Sequence, residues 1–400
     1  MKKPWRVQLV VEPDQEYFRE AMLGARLRAF EGGRLEFVDR WLPHELNGDL
    51  RRLVERDAVR GILTASHGLA GESQFAAAGV PVVNVSNSLP RPRLAVVTQD
   101  DREVGRLAAE HLLGRGLRNF LFWGAAGWRY SDERREGFLK ALRAAGVERG
   151  AVTEFAGASG GPFATRGELT RLRAVLAGLA RPTGAFAVLD GLALGLLRAA
   201  REDGWKVPEE LAVLGAGDDD FFVEFERTPL SSIRLPARQI GYEAAALLER
   251  LIAKGGRGGG GPEFIALPGA RLVARRSTEA TAPGDALAAR AAALLRERPE
   301  TTVAAVAKAC GVARSGLQRR FIAAFGHGLK EERGRVRLER AERLLAGGEV
   351  KLAAVAAEAG YPSAQRLAAE VRRAHGCTPG VWRRRMRLRG GLTEVTRRQA

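Results

Sequence analysis

Charged and aromatic side chains follow several short apolar runs in the first 275 residues. Ser66 comes after the run at 61–64, for example, and Asp218 comes after the run at 211–214. Carboxylates and arginine bind pairs of hydroxyl groups bidentately, and aromatic rings pack on the C–H groups of a sugar. The pattern therefore predicts a cleft for a small polar ligand. The candidate ligand-binding residues are Tyr17, Ser66, Tyr130, Arg134, Asp190 and Asp218.

Several of these residues also have a purely structural interpretation. Asp190 and Asp218 each precede a helical pattern, where a carboxylate often caps the helix. His67, beside Ser66, fits a loop residue better than a ligand or a base. Both interpretations stay open at the level of the sequence.

The sequence contains none of the common enzyme motifs. We find no P-loop, no GxSxG elbow, no HExxH helix and no Cys/His set with metal-binding spacing, and two cysteines cannot form a disulfide framework. We therefore predict no catalytic residue, no metal and no cofactor. The alternative functions are a carbohydrate-active enzyme, with strand-end carboxylates as a glycosidase pair, and a sugar-binding protein without a regulatory role.

The positive charge is concentrated near the carboxyl end of the chain. Residues 281–400 hold 24 Lys+Arg and 11 Asp+Glu, a net charge of +13, whereas residues 1–280 hold 40 and 36, a net charge of +4. An arginine-rich genome composition should affect both parts alike. The asymmetry instead favours a domain that binds a polyanion such as DNA.

An internal repeat in this basic segment predicts two helix-turn-helix motifs. The sequence VAAVAKACGV at 303–312 recurs as LAAVAAEAGY at 352–361, and each copy has a small residue for close helix crossing and a glycine that ends the helix. A second helix follows each glycine and buries Leu317 and Phe321 in the first copy and Leu367 and Val371 in the second. Its outward face carries Gln and Arg side chains suited to base edges or phosphate. In the first copy these are Arg314, Gln318, Arg319 and Arg320, with Ser315 as a cap candidate.

The elements that must position these residues alternate regularly along the first 275 residues. Strand and helix patterns in alternation indicate parallel βαβ units and a doubly wound α/β fold, in which ligands bind at the carboxyl ends of the strands. Strands are predicted at 7–11, 61–64, 82–85, 94–97, 119–122, 185–189, 211–214 and 264–267. Helices are predicted at 17–30, 103–113, 133–145, 168–179, 192–203 and 239–254.

The stretch 303–385 resembles the AraC/XylS-type DNA-binding domain over its whole length, including CGVARSGLQRRFIAAFG, RVRLERAERLL and CTPGVWRRR. The resemblance implies that Gln318 and Arg319 contact bases from the first helix, with Gln365 and Arg366 in the corresponding places of the second. The second copy departs from the family because Ala369 stands where a polar or basic residue is common. It is therefore expected to contact mainly phosphates. The arginines expected to bind phosphate are Arg372, Arg373, Arg383, Arg384 and Arg385.

Residues 5–275 resemble the LacI/GalR-type sugar-binding core, which is related to periplasmic sugar-binding proteins. The segments that carry the resemblance include VTQDDREVGRLAAEHLLGRGLRNFLFWG and SDERREGF. It implies that Arg134 and Asp190 face the sugar. The acidic cleft residue of the family usually lies two places after the glycine that matches Gly215, but here that place is Gly217, with Asp218 beside it. A LacI-like core in front of an AraC-type domain is similar to the xylose-responsive transcription regulators.

These inferences together predict a two-lobed periplasmic-binding-protein-like core followed by an all-α domain. The expected segments are a core at 1–276, a linker at 277–284, a DNA-binding domain at 285–388 and a basic tail at 389–400. The expected partners are a double-stranded DNA operator, a sugar, a second copy of the chain near Thr98 to Leu113, and RNA polymerase. A chain with no signal-peptide pattern and no apolar stretch of membrane-spanning length is expected to be soluble and cytoplasmic.

Overall fold

A computed structural model of the chain describes residues 4–11, 15–32, 34–38, 50–157, 163–223, 227–255, 262–279, 285–325, 327–346, 350–375 and 378–383. The described chain divides into a core unit, which extends to Ala280, and a carboxyl-terminal unit from Thr281 onward, to which residues 114–116 are also assigned. Within the described residues, no helix is long and apolar enough to span a bilayer.

The core unit consists of alternating strands and helices. Its strands are β1 (Trp5–Val10), β2 (Leu35–Val38), β3 (Gly61–Thr64), β4 (Val82–Asn84), β5 (Ala95–Gln99), β6 (Asn119–Ala125), β7 (Val152–Gly157), β8 (Thr183–Ala187), β9 (Leu211–Gly217), β10 (Ser231–Arg234), β11 (Phe264–Leu267) and β12 (Arg271–Val273). Its helices are α1 (Glu16–Phe30), α2 (Leu50–Arg56), α3 (Leu69–Ala76), α4 (Asp101–Gly114), α5 (Arg129–Ala144), α6 (Arg166–Ala177), α7 (Asp190–Glu202), α8 (Asp220–Val223) and α9 (Ala237–Ala253).

The strands form two separate six-stranded sheets, each with its own apolar core. The first sheet has the order β11-β5-β4-β3-β1-β2 and the second has the order β12-β10-β9-β8-β6-β7. All neighbours are parallel except β12, which runs antiparallel to β10. We call the part around the first sheet the amino-terminal lobe and the part around the second sheet the second lobe. This architecture confirms the predicted two-lobed doubly wound core.

The chain passes between the lobes three times. It leaves the amino-terminal lobe after β5, returns after β10 so that α9 packs on α1, and leaves again between β11 and β12. Ile240 and Leu248 of α9 are buried in the amino-terminal core, whereas Val104 and Leu112 of α4 are buried in the second core. Each lobe is therefore built from chain segments that are distant in sequence.

The predicted strands are all present, and apart from the partly exposed edge strand β11 their continuous apolar runs match strands buried on both faces of a parallel sheet. The sequence patterns missed β2, β7, β10 and β12. Three of these lie at sheet edges. The fourth, β10, is central but carries Ser231 and Ser232, whose buried hydroxyls are hydrogen-bonded inside the protein. Edge position and buried polar groups therefore hid these strands from a search for apolar runs.

The predicted linker at 277–284 begins with two residues that pack in the core. Ser277 and Thr278 are fully buried. The Ser277 hydroxyl donates to the Val213 carbonyl oxygen at 2.6 Å, and the Thr278 hydroxyl lies 2.8 Å from Nε2 of His111. The core thus extends to these residues, while residues 280–284 lie outside the described residues.

The carboxyl-terminal unit is helical in its described part. Its helices are α10 (Ala286–Glu297), α11 (Val303–Ala309), α12 (Arg314–Phe325), α13 (Leu329–Ala346), α14 (Leu352–Glu358) and α15 (Ala364–His375). The pairs α11–α12 and α14–α15 are the two helix-turn-helix motifs, and each packs around its own apolar cluster. Gly311 and Gly360 have φ of 70° and 80° at the ends of α11 and α14, where a left-handed residue stops the helix. The predicted all-α domain with two such motifs is confirmed.

Candidate functional site

A cleft of about 810 Å³ lies between the two lobes of the core unit. Residues at the carboxyl ends of β1, β3, β9 and their neighbours form its walls, together with the loops and helix starts that follow. Ligands of open parallel sheets bind at this edge. The volume lies within the range of roughly 300–1,000 Å³ that is usual for small-molecule sites.

Five of the six candidate ligand-binding residues line this cleft. They are Tyr17, Ser66, Tyr130, Arg134 and Asp190. The first two come from the amino-terminal lobe and the other three from the second lobe, so both walls contribute polar groups. The Tyr17 hydroxyl already donates to the Val85 carbonyl oxygen at 2.9 Å. Tyr17 is therefore held in place by its own lobe.

Arg134 is a buried cation whose position is fixed on two sides. Its side chain is 2% exposed, its Nε donates to Oδ1 of Asp101 at 2.8 Å, and its Nη1 donates to the Val188 carbonyl oxygen. The guanidinium also lies 5.2 Å from the ring centroid of Tyr130. Its Nη2 makes no hydrogen bond within the described part of the chain. Arg134 can therefore donate to a ligand without changing its own position.

Asp190 is the first residue of α7, and its carboxylate is hydrogen-bonded to the segment after β9. Oδ1 accepts from the Ser232 hydroxyl at 2.6 Å, and Oδ2 accepts from the backbone N–H groups of Asp218 at 2.6 Å and Asp219 at 3.2 Å. Burial raises the pKa of Asp190 to about 7, and the negative charge of Asp218 adds to this, although the three donors oppose the shift. Asp190 therefore caps a neighbouring loop and also lines the cleft.

The structure corrects the prediction for Asp218. Its side chain is fully buried and forms ion pairs with Arg234 and with Arg275, the latter at 2.6 Å. The backbone of Asp218 is left-handed (φ 59°), which an Asp tolerates better than most residues, and Asp219 lines the cleft in its place. The sequence identified the acidic segment but not which carboxylate lines the cleft, because that depends on one turn of the backbone.

The two lobes also exchange hydrogen bonds across the rim of the cleft. The backbone N–H of Glu16 donates to Oδ2 of Asp219 at 2.9 Å, and the backbone N–H of Asp220 donates to Oε2 of Glu16 at 2.8 Å. Each lobe thus offers a carboxylate to a helix start on the other lobe, where the N–H groups are unpaired and the helix dipole is positive. Burial raises the pKa of Glu16, and the neighbouring acidic residues raise it further.

Aromatic and hydroxyl side chains that the sequence patterns did not predict as ligand contacts also line the cleft. His67, which was interpreted as a loop residue, lies in the wall with its Nδ1 at 2.9 Å from the Ser86 hydroxyl and 3.0 Å from the Ser88 hydroxyl. Its ring is 5.4 Å from Phe18 and 6.3 Å from Trp128, so an aromatic surface crosses from one lobe to the other. Ser86 and Ser88 follow β4, and their position after a predicted strand was the signal available in the sequence.

The first helix-turn-helix exposes most of the side chains predicted to contact DNA. Arg314, Ser315 and Arg319 of α12 are exposed, while Leu317 and Phe321 on the opposite face are fully buried. Gln318 is only half-buried, and its Oε1 accepts from the backbone N–H of Leu329 at 3.3 Å. The fold therefore gives Gln318 a second role at the start of α13. Its contact with bases stays a prediction, as does that of Arg319.

Arg320, at the end of this face, forms a different contact. Its Nε donates to Oδ2 of Asp285 at 2.5 Å, and Asp285 also caps α10 by accepting from the backbone N–H groups of Leu287 and Ala288. The ion pair and the capping bonds lower the pKa of Asp285 against the opposing effect of burial.

The second helix-turn-helix has a different outward face. Gln365 and Arg366 of α15 are exposed, but Glu370 pairs with Arg366 at 3.7 Å and with Arg373 at 2.5 Å. Leu367 and Val371 are fully buried. Arg384 and Arg385 of the expected phosphate-binding set, and the basic tail at 389–400, lie outside the described residues.

The buried residues of the two recognition helices also correct the correspondence between them. The helix α12 starts at Arg314 with Leu317 buried, and α15 starts at Ala364 with Leu367 buried. In this register Gln318 and Arg319 match the two alanines at 368 and 369. The pair at 365 and 366 instead matches Ser315 and Gly316. The pairing that the family resemblance implied is therefore wrong for this chain, because the facing of a helical residue is set by its distance from the buried positions.

A buried ionic cluster joins α12 to α13. Glu332 is 2% exposed. Its carboxylate accepts from Arg335 at 2.8 Å and lies 2.9 Å from Nε2 of His327, whose Nδ1 is 2.9 Å from the Phe325 carbonyl oxygen. These partners and Arg296 hold the pKa of Glu332 well below its usual range although burial opposes them. The cluster thus ties the end of α12 to the first turn of α13 through His327.

Comparison with known proteins matches each unit separately. Residues 109–278 match the model of a periplasmic binding protein-like domain, and residues 306–385 match the model of a helix-turn-helix domain. Both matches lie within the units described above.

Comparison also matches proteins that contain both units. The chain is 30% identical over 322 residues to the xylose operon regulatory protein of Escherichia coli strain K12, covering 78% of this chain and 80% of that protein. It is 26% identical over 313 residues to the xylose operon regulatory protein of Haemophilus influenzae, covering 76% and 79%. A solved structure of a xylose-binding transcription activator, xylR, superposes with a TM-score of 0.59 at 26% identity and covers 96% of this chain and 98% of that one.

Proposed function

The chain belongs to the family of the xylose operon regulatory proteins, and we propose that its interlobe cleft binds an aldopentose, with xylose as the favoured ligand. As a member of this family the chain is a sugar-responsive, DNA-binding transcription regulator and not an enzyme. The observation that carries the proposal is the presence, in one chain, of a sugar-sized cleft and two helix-turn-helix motifs.

The chemistry of the cleft supports a sugar as its ligand. The aromatic surface of Phe18, His67 and Trp128 suits the C–H face of a sugar ring, and the Ser66 hydroxyl and the guanidinium of Arg134 lie on opposite walls. The names of the two relatives and of the solved structure favour a pentose. We propose Ser66, Tyr130, Arg134 and Asp190 as ligand contacts, with Asp219 in the place expected for Asp218.

Regulation would follow from closure of the cleft. A ligand that touches both walls binds the closed arrangement better than an open one, and it shifts the equilibrium only by that difference in affinity. Glu16 of the amino-terminal lobe is already hydrogen-bonded to Asp219 and Asp220 of the second lobe across the rim, and we propose that this arrangement of the lobes is the closed one. We propose that this closure changes the affinity of the chain for its operator.

The remaining partners belong to the same proposal. We propose that the chain acts in the cytoplasm as a homodimer and that RNA polymerase is a further partner at the promoter. The segment expected at the dimer interface includes α4, whose Val104 and Leu112 are buried inside the second lobe. Only its outward face, with Arg102, Arg106 and Glu110, remains exposed for a second copy.

The test is operator binding with and without sugar. Fluorescence anisotropy of the full chain on operator DNA should shift when D-xylose is added, and chromatography of the recovered sugar should show no product. Arg134→Lys should weaken the response to xylose at least tenfold, because lysine cannot reproduce the fixed geometry of the guanidinium. Arg135→Lys, on the same helix but outside the cleft, is the matched control. An operator affinity that no aldopentose changes would contradict the proposal.

A further inference from the structure

One carboxylate orients three side chains around the cleft. Asp101, the first residue of α4, is fully buried. It accepts from Nδ2 of Asn87 at 2.7 Å, from Nε2 of Gln99 at 2.9 Å and from Nε of Arg134 at 2.8 Å. Asn87 and Gln99 belong to the amino-terminal lobe and Arg134 to the second lobe, so Asp101 joins groups from both walls.

This arrangement fixes which way the two amides face. A carboxylate only accepts hydrogen bonds, so the NH₂ groups of Asn87 and Gln99 must point to Asp101. Their carbonyl oxygens, Oδ1 of Asn87 and Oε1 of Gln99, are buried and have no hydrogen-bond partner in the described part of the chain. Both residues line the cleft and are only 6% and 5% exposed. Buried acceptors without a donor are rare in folded proteins.

We propose that Asn87 and Gln99 form a subsite for two hydroxyl donors of an uncharged sugar, with Asp101 as the residue that positions them. The inference rests on the proposed function and deepens it, since it names the chemical class that the cleft accepts. A hydroxyl group can donate to an amide oxygen and accept from Nη2 of Arg134 at the same time.

The same geometry rejects anions at this place. The charge of Arg134 is already compensated by Asp101, and two carbonyl dipoles present their negative ends to the ligand. A carboxylate or phosphate brought here would face two acceptors and would have no proton to give them. The subsite therefore selects neutral sugars over sugar acids and sugar phosphates.

The first experiment pairs changes in the ligand with changes in the protein. Calorimetric titrations of D-xylose and its monodeoxy analogues are carried out on the full chain and on Gln99→Met and Asn87→Leu. For the unchanged chain we expect a loss of about ten- to a hundredfold in affinity for the analogue that lacks the matching hydroxyl. Gln99→Met should weaken the binding of xylose by a similar factor, and it should bind xylose and that analogue with equal affinity. Gln239→Met, which changes an exposed amide outside the cleft, is the control.

The second experiment tests the role of Asp101 and the rejection of anions. The unchanged chain should bind D-xylose and not D-xylonate. In Asp101→Asn the new amide can donate as well as accept, so it no longer fixes the orientation of the Asn87 and Gln99 amides. This variant should therefore lose its selectivity among the deoxy analogues. If Asp101→Asn does not fold, the Gln99→Met and Asn87→Leu series decides alone. Equal deoxy penalties in the unchanged chain and both variants would overturn the subsite, and so would binding of xylonate as tight as that of xylose. If another neutral sugar binds and no aldopentose does, the proposed ligand fails while the subsite is tested with deoxy forms of that sugar.

Discussion

The two helix-turn-helix motifs share a backbone plan but differ in core and in contact face. In the first, Phe321 stacks on Phe325 with ring centroids 4.4 Å apart, whereas its counterpart in the second is the smaller Val371. On the outward faces, Gln318 and Arg319 of α12 are matched by the two alanines at 368 and 369 of α15. In addition, Glu370 forms ion pairs with Arg366 and Arg373 of α15. The two motifs share the spacing of their buried residues, whereas their exposed positions differ. These faces favour the prediction that the first motif reads bases and that the second contacts mainly the DNA backbone.

The largest expected effect is on the stability of the first core. Phe321→Ala should lower the free energy of unfolding by about 3–5 kcal/mol, because it removes a fully buried ring and leaves a cavity. Val371→Ala in the second core removes only two methyl groups and should cost about 2 kcal/mol. Hydrogen exchange of the backbone amides of α12 and α15 in the full chain measures both. Equal losses would contradict the difference in packing.

Sequence discrimination should depend on the first recognition helix far more than on the second. Arg319→Ala is expected to cost about 1–3 kcal/mol in discrimination between operator and a changed site, since guanine-specific contacts are worth this much. Arg366→Ala should lower the affinity for both DNAs by the same factor. It should also reduce the slope of the salt dependence by the value expected for about one phosphate contact. Anisotropy titrations on the two DNAs at several salt concentrations separate these outcomes. A loss of discrimination in Arg366→Ala would show that the second motif also reads bases.

The ionic cluster around Glu332 makes the first motif sensitive to acid. Because the folded-state pKa of Glu332 is lowered, its stabilisation is present above the unfolded pKa of about 4.3 and is lost as the pH falls toward the folded value. Glu332→Gln should cost about 1.5–3 kcal/mol at pH 7, because hydrogen bonds to charged groups are worth this much, and it should flatten the pH dependence of the protection of α12 below about pH 4.3. The protection of the α15 amides against hydrogen exchange, measured in the same samples, should be the same in Glu332→Gln as in the unchanged chain.

The smallest expected effect concerns Glu370. Glu370→Gln releases Arg366 and Arg373 and should strengthen DNA binding by about 0.5–1 kcal/mol at low salt, with the gain fading at high salt. Glu358→Gln, an exposed residue of α14, controls for the general change in charge. An affinity that rises equally in both variants would mean that the pairing within α15 is irrelevant to DNA binding.

The architecture can be predicted from the amino-acid sequence. Apolar runs in alternation with helical periods predict parallel sheets with covered faces, and the repeated helix with its terminal glycine predicts two helix-turn-helix motifs. These signals are local, since each depends on residues a few places apart. For the same reason, positions after strands and at helix starts pointed to five residues that line the cleft in the structure. They are Tyr17, Ser66, Tyr130, Arg134 and Asp190.

The contacts of the individual side chains, in contrast, depend on the three-dimensional packing of the chain. Only the fold turns Asp218 away from the cleft and Asp219 toward it, and only the fold brings Asn87 and Gln99 to the carboxylate of Asp101. These outcomes depend on groups distant in sequence, whose burial and hydrogen bonds arise when the lobes and helices pack. A pattern of residue types along the chain does not contain them.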